Sequence, residues 1–184
     1  LRLVKIDPVK DIRNLQIIYP IPGTREMYEN KPGSQLGIII GHEGEGSLLS
    51  YLKNKGWALS LSAGAGSDTK EYGMATIKIG LTPKGLEEYK EVLKTTLNYI
   101  ELMKTSGYQT HVYNELKSMA ELEYVYGSKG EGMWRATQLA NEAMMYPLKD
   151  AGKINYIYRK DEPEYYESLL KQLTPDNMLV VLTA

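Results

Sequence analysis

The chain has 184 residues, is 42% hydrophobic and 24% charged, and sets 22 basic residues against 23 acidic ones for a formal charge of -1. That length suits one domain with a real core, and the charge balance carries no basic excess that would point to nucleic acid or an anionic membrane. No apolar run approaches the roughly 20 residues of a bilayer span, and the absence of cysteine excludes disulfides, thiol catalysis and zinc–thiolate sites.

Leu15, Ile17 and Tyr19 alternate as in a strand, which Pro20 and Pro22 are expected to end. Lys31-Pro32-Gly33-Ser34 reads as a turn into a helix with Ser34 as N-cap, and Leu36, Ile39 and Ile40 share one helical face. Gly41 to Gly46 holds three glycines and suits a sharp corner. Ser47 caps a second helix with a Leu48, Leu49, Leu52 stripe, ended by Lys55-Gly56. Two strands follow, one with Leu59, Leu61 and Ala63 on a common face, the next with Ala75, Ile77, Ile79 and Leu81. The polar link Gly64 to Lys70 suits an antiparallel hairpin. Thr82-Pro83 opens a long helix marked by Leu86, Tyr89, Leu93, Leu97 and Ile100 and stopped by Ser106-Gly107. Tyr113, Leu116, Ala120 and Tyr124 mark a further helix; Met133, Ala136, Ala140 and Met144 another; Tyr166, Leu169, Leu170 and Leu173 the last. Met178 to Thr183 closes as a strand. The pattern predicts a single α+β domain over residues 1–184, with helices packed on one face of a mostly antiparallel sheet.

Fifteen Tyr and no Phe predict that several of Tyr19, Tyr89, Tyr99, Tyr113 and Tyr166 fill the core with partnered hydroxyls. The chain opens on Leu1 without an initiator Met and closes at Ala184 inside an apparent strand, so it reads as a segment of a longer polypeptide.

His42-Glu43 invites a metal reading. Zinc peptidases set two histidines on one helical face, as H-E-x-x-H or H-x-x-E-H. Here Gly44, Glu45 and Gly46 follow, and the other histidine, His111, is far along the chain. The better reading is a structural corner whose His42 and Glu43 hydrogen-bond backbone groups left open between two helices. Gly44-Glu45-Gly46 and Gly130-Glu131-Gly132 match no phosphate loop and place a glutamate where an anion would sit. Ser47 lies outside any G-x-S-x-G elbow, and Met133, Met144 and Met145 are expected to fill core gaps. No catalytic residue emerges.

Several blocks together carry a resemblance: Val9 to Leu15 followed by Tyr19-Pro20-Ile21-Pro22; Lys31-Pro32-Gly33 through Leu36-Gly37; Gly41-His42-Glu43-Gly44; Gly46-Ser47-Leu48-Leu49; Lys55-Gly56-Trp57; Leu81-Thr82 with Gly85-Leu86; Tyr146-Pro147-Leu148; and Leu173 to Asn177. In this order they resemble the second, non-catalytic domain of the insulinase/pitrilysin family of zinc metallopeptidases. The resemblance implies a hydrolase whose homologous α+β domains form two bowl-shaped halves around a proteolytic chamber. Zinc is then expected in an N-terminal domain of the parent, with no cofactor in this chain. It also implies an exosite for the substrate's N-terminal end, at Gly41 and Glu43 on the corner and Leu61, Ala63 and Gly64 on the strand. Ser34 and Ile38 stand where insulin-degrading relatives carry histidines, and Ser62 and Ala65 change the local chemistry, so substrate preference does not transfer. The partners implied are peptide substrates and the other domains of the same polypeptide, with no nucleic acid and no membrane. A pitrilysin-like parent would sit in a bacterial periplasm. Two alternatives stand beside this: a structural or assembly subunit of the same superfamily without activity, and a self-sufficient enzyme with an unrecognised site.

Overall fold

The computed structural model describes residues 2–66, 69–128 and 130–184. Five strands, β1 (Arg2–Ile6), β2 (Asn14–Pro22), β3 (Ala58–Gly66), β4 (Tyr72–Leu81) and β5 (Leu179–Thr183), form one sheet in the order β1-β5-β2-β4-β3. β1 and β5 are parallel; the other pairs are antiparallel. Alternation places Leu15, Ile17, Tyr19 and Ile21 of β2 beside Ala75, Ile77, Ile79 and Leu81 of β4 on the buried face. Seven helices follow among the described residues, α1 (Pro32–Ile40), α2 (Leu48–Asn54), α3 (Pro83–Glu87), α4 (Tyr89–Ser106), α5 (Thr110–Tyr126), α6 (Gly132–Met145) and α7 (Pro163–Gln172). Of these, α1, α2, α3 and α7 make the main contacts to the strands, α4 and α5 pack mainly on other helices, and α6 stands largely outside the core. The molecule is therefore the expected α+β architecture.

Ser47 and Thr82 cap as expected, accepting the Ser50 and Gly85 N–H at 3.1 and 2.9 Å. Several local expectations fail for identifiable reasons. Pro20 and Pro22 do not end β2. Beyond Ile18 that strand pairs with β4 alone, so a missing N–H is tolerated there as on an edge. Ser34 lies inside α1. The cap is Lys31, held at φ 52° ahead of Pro32, with its Nζ donating to the Tyr28, Ile154 and Ile157 carbonyls at 3.0, 2.5 and 2.9 Å. Leu59 is exposed, because a bulge between Ala58 and Ser60 shifts the register and gives the inner place to Ala58. The helix after Thr82 breaks at Glu88 into α3 and α4, and Val92, Thr96, Ile100 and Met103 form the buried stripe of α4. In the hairpin link, β3 extends to Gly66, while Ser67 and Asp68 lie outside the described residues.

The largest departure is α6. Met133, Met144 and Met145 do not fill the core; they are exposed, Met144 by 85%. Glu142 is buried instead. Its carboxylate accepts the Gly152 N–H at 2.5 Å and the Gln138 amide at 2.6 Å, while Arg135 donates to the Gly152 carbonyl at 2.9 Å. Polar anchors hold this helix, and its apolar side chains face outward.

Tyrosine does take the aromatic core positions. Tyr19, Tyr113 and Tyr166 are buried and Tyr89 and Tyr99 half-buried, with edge-on pairs Tyr108–Tyr166 and Tyr113–Tyr158 at centroid separations of 5.4 and 5.5 Å. The Tyr99 hydroxyl donates to the Ile39 carbonyl at 3.3 Å and Tyr19 reaches the Met178 sulfur at 3.8 Å. The Tyr166 hydroxyl is buried without a partner, contrary to the expectation.

Candidate peptide groove

β3 lies at one edge of the sheet, pairing with β4 on its inner side and with no strand on its outer side among the described residues. An edge strand of this kind is the general setting in which a further strand can add. α1 approaches closely because Gly33 and Gly37 of the helix and Gly41 at its C-cap recur every four residues along one face. A Cβ at Gly33 would lie 1.8 Å from the Ala65 carbonyl oxygen, and one at Gly37 3.2 Å from that of Ala63. Only glycine lets the two backbones come this near.

Between β3, α1 and α5 runs an open groove of about 680 Å³. Four of the five residues that the sequence singles out, Gly41, Leu61, Ala63 and Gly64, line it together. Leu61 is buried and Ala63 half-buried toward the core, while Gly64 is exposed. Ile38 of α1 and Met119 of α5 contribute exposed apolar walls. Gly41 closes α1, its N–H donating to the Gly37 carbonyl at 2.8 Å. His42 then stabilises the corner, its Nδ1 accepting the Gly44 N–H at 3.2 Å, as the structural reading of that residue expects. Glu43 is exposed on the corner and does not line the groove.

A second cavity of about 300 Å³ adjoins the corner end and brings His42 and His111 together with Glu45 and Glu115. The residues present do not fit a zinc site. His42 already uses Nδ1 on the backbone, and no cluster of three or more potential ligands occurs among the described residues. Sequence reasoning missed Gly33, Gly37, Glu115 and Met119 as groove residues. The four-residue glycine spacing signals the first two; nothing local marks the others, which arrive from α5 through the tertiary fold.

Residues 2–119 match the family model described as the peptidase M16 inactive domain. The chain belongs to the M16 peptidase family, the insulinase-type zinc metallopeptidases, as one of its inactive domains. It is 34% identical over 97% of its length to the Arabidopsis thaliana peroxisomal insulin-degrading enzyme-like 1, and 33% identical over all of its length to human insulin-degrading enzyme. It spans 18% of each of those relatives. Among solved structures, pitrilysin superposes with a TM-score of 0.90 at 20% identity, over 99% of this chain and 20% of that one. The inactive peptidase domain of a putative zinc protease from Bordetella parapertussis gives 0.66 at 11% identity, over 95% of this chain and 91% of that one. These two likenesses show the fold.

Proposed function

We propose that this chain is the substrate-holding and chamber-forming domain of a zinc-dependent endopeptidase that degrades peptides, with the zinc in another domain of the same polypeptide. The observation that carries the reading is the free outer edge of β3 beside the glycine face of α1. An extended peptide adds there by main-chain hydrogen bonds, with its apolar side chains against Ile38 and Met119. Its N-terminal ammonium lies at the Gly41 end, where Glu43, Glu45 and Glu115 supply negative charge. Each net hydrogen bond contributes only about 0.5–1.5 kcal/mol, so the isolated domain binds weakly and the enclosed chamber supplies the remaining affinity. Leu122, Tyr126, Trp134 and Met144 on α5 and α6 are exposed and apolar, which supports packing of that side against the rest of the parent polypeptide.

Peptide titration followed by amide NMR tests the reading. The expected result is shifts confined to Leu61–Gly66 and the Gly41 corner, with affinity reduced by N-terminal acetylation of the peptide and by Glu43→Ala. Shifts on a distant surface would overturn strand addition; affinity indifferent to both changes would overturn the Glu43–ammonium contact.

A further inference from the structure

Resting on that peptide-groove reading, we infer that the far end of the groove holds a carboxylate-binding pocket built around Arg25, which reads an acidic group about five residues into the bound peptide. A cavity of about 210 Å³ opens beside the last residues of β3 and shares Gly33, Ser34 and Ala65 with the groove, so the two are continuous. Its lining includes Arg25 and Lys31 and no carboxylate among the described residues.

Arg25 is the group that calls for a ligand. Its Nε is buried and has no hydrogen-bond partner, and no ion pair engages its guanidinium among the described residues. A buried, unsatisfied donor on a permanently charged fork is costly and needs an explanation. Arg25 lines the cavity, and an arriving carboxylate matches its guanidinium in shape as well as charge. The neighbouring acid Glu26 is turned to Lys70, at 3.2 Å. Lys31 adds charge without competing for the ligand, since its ammonium already donates to three carbonyls.

The spacing sets the position read. From Leu61 to Ala65 an extended strand advances about 13 Å, and from Gly41 to Gly33 a helix spans about 12 Å. A peptide whose ammonium lies at the Gly41 corner therefore brings its fifth residue level with Ala65 and Arg25. It also runs in the same direction as β3, because only that direction carries it from the acidic end of the groove to the basic one. The acid can be a side chain at that position or the C-terminal carboxylate of a pentapeptide; the chemistry recognised is the same.

The test uses the 184-residue chain and amidated octapeptides with free N-termini, each carrying a single glutamate at one of positions 2 to 7, beside glutamine counterparts. A pentapeptide acid and its amide form the second arm. Binding is followed by titration calorimetry, and the location of binding by amide shifts. Glutamate at position 5 is expected to bind about fivefold tighter than glutamine, with no advantage at position 2. The pentapeptide acid should outbind its amide, and equal binding of the two overturns recognition of a terminal carboxylate. Arg25→Gln should abolish the advantage while leaving the glutamine peptides unchanged, and Arg25→Lys should restore part of it. Unchanged binding of the glutamine peptides also shows that the variant is folded. An advantage absent at every position, equal at all positions, or retained in Arg25→Gln overturns the pocket while the glutamine peptides still mark the groove. Loss of all β3 shifts with every peptide overturns the groove reading and the pocket with it.

Discussion

Replacing Gly33 by alanine puts the packing of α1 on β3 to a direct test. The new Cβ would sit 1.8 Å from the Ala65 carbonyl oxygen and 2.7 Å from its carbon. Both are backbone atoms, so no side chain can swing aside, and helix and strand must part until the contact reaches a normal van der Waals separation. Overpacking of this kind costs roughly 1–3 kcal/mol, and the rigidity of both partners favours the upper end. Alanine recovers at most about 1 kcal/mol of helix propensity. The net loss is about 2 kcal/mol, which lowers Tm by about 4–8 °C in a domain of this size. Gly64→Ala is the internal control, because nothing lies within 4 Å of a Cβ built there; its Tm should move by less than about 2 °C. Thermal and urea unfolding measure both. The reasoning fails if Gly33→Ala is as stable as the parent chain, or if Gly64→Ala is equally damaging.

Three further outcomes are expected. The Arg159 guanidinium, which bonds both oxygens of the buried Asp150, together with the Tyr28 hydroxyl at 2.9 Å, holds the Asp150 carboxyl at about 2 against an ordinary 3.8, although burial alone would raise it. A depressed folded pKa stabilises fully above the unfolded value, so this contribution should be complete above about pH 4 and lost as pH falls toward 2. Urea midpoints from pH 5 to 2.5 should show that decline, and Asp150→Asn should flatten it. Tyr166→Phe removes an unpartnered buried hydroxyl, so Tm should hold or rise, by up to about 1 kcal/mol in stability; a clear fall would reveal a partner for that hydroxyl. Glu142→Ala removes the anchor between α6 and Gly152; amide exchange should accelerate across Gly132–Met145 and stay slow in β2 and β4.

Wherever one face was buried, the sequence made the element legible. β2 and β4 announce themselves because alternate residues enter the core, and Ser47 and Thr82 cap because their hydroxyls meet free N–H groups. β1 escaped notice because every one of its residues is exposed; its strand character comes from register with β5, which no local pattern encodes. α6 misled for the opposite reason. Its methionines recur at helical spacing, yet that spacing says only that a helix has an apolar side and not that this chain covers it. Of the groove, the strand and the glycine corner were legible in the sequence. Glu115 and Met119 were not, since they reach it only through the crossing of α5, and Arg25 carries no motif and stands out only by its buried, unpartnered nitrogen.

An unpaired edge ordinarily invites a second copy of the same sheet, and proteins commonly blunt such edges with charge, proline or bulges. Here the guard is architectural. α1 lies on one side of β3, and α5 contributes Glu115 and Met119 to the same groove, so both helices stand beside the open edge. Gly33 and Gly37 set how near α1 lies to β3; under the proposed peptide-holding role, that spacing would favour a single extended chain over the edge of a second folded sheet.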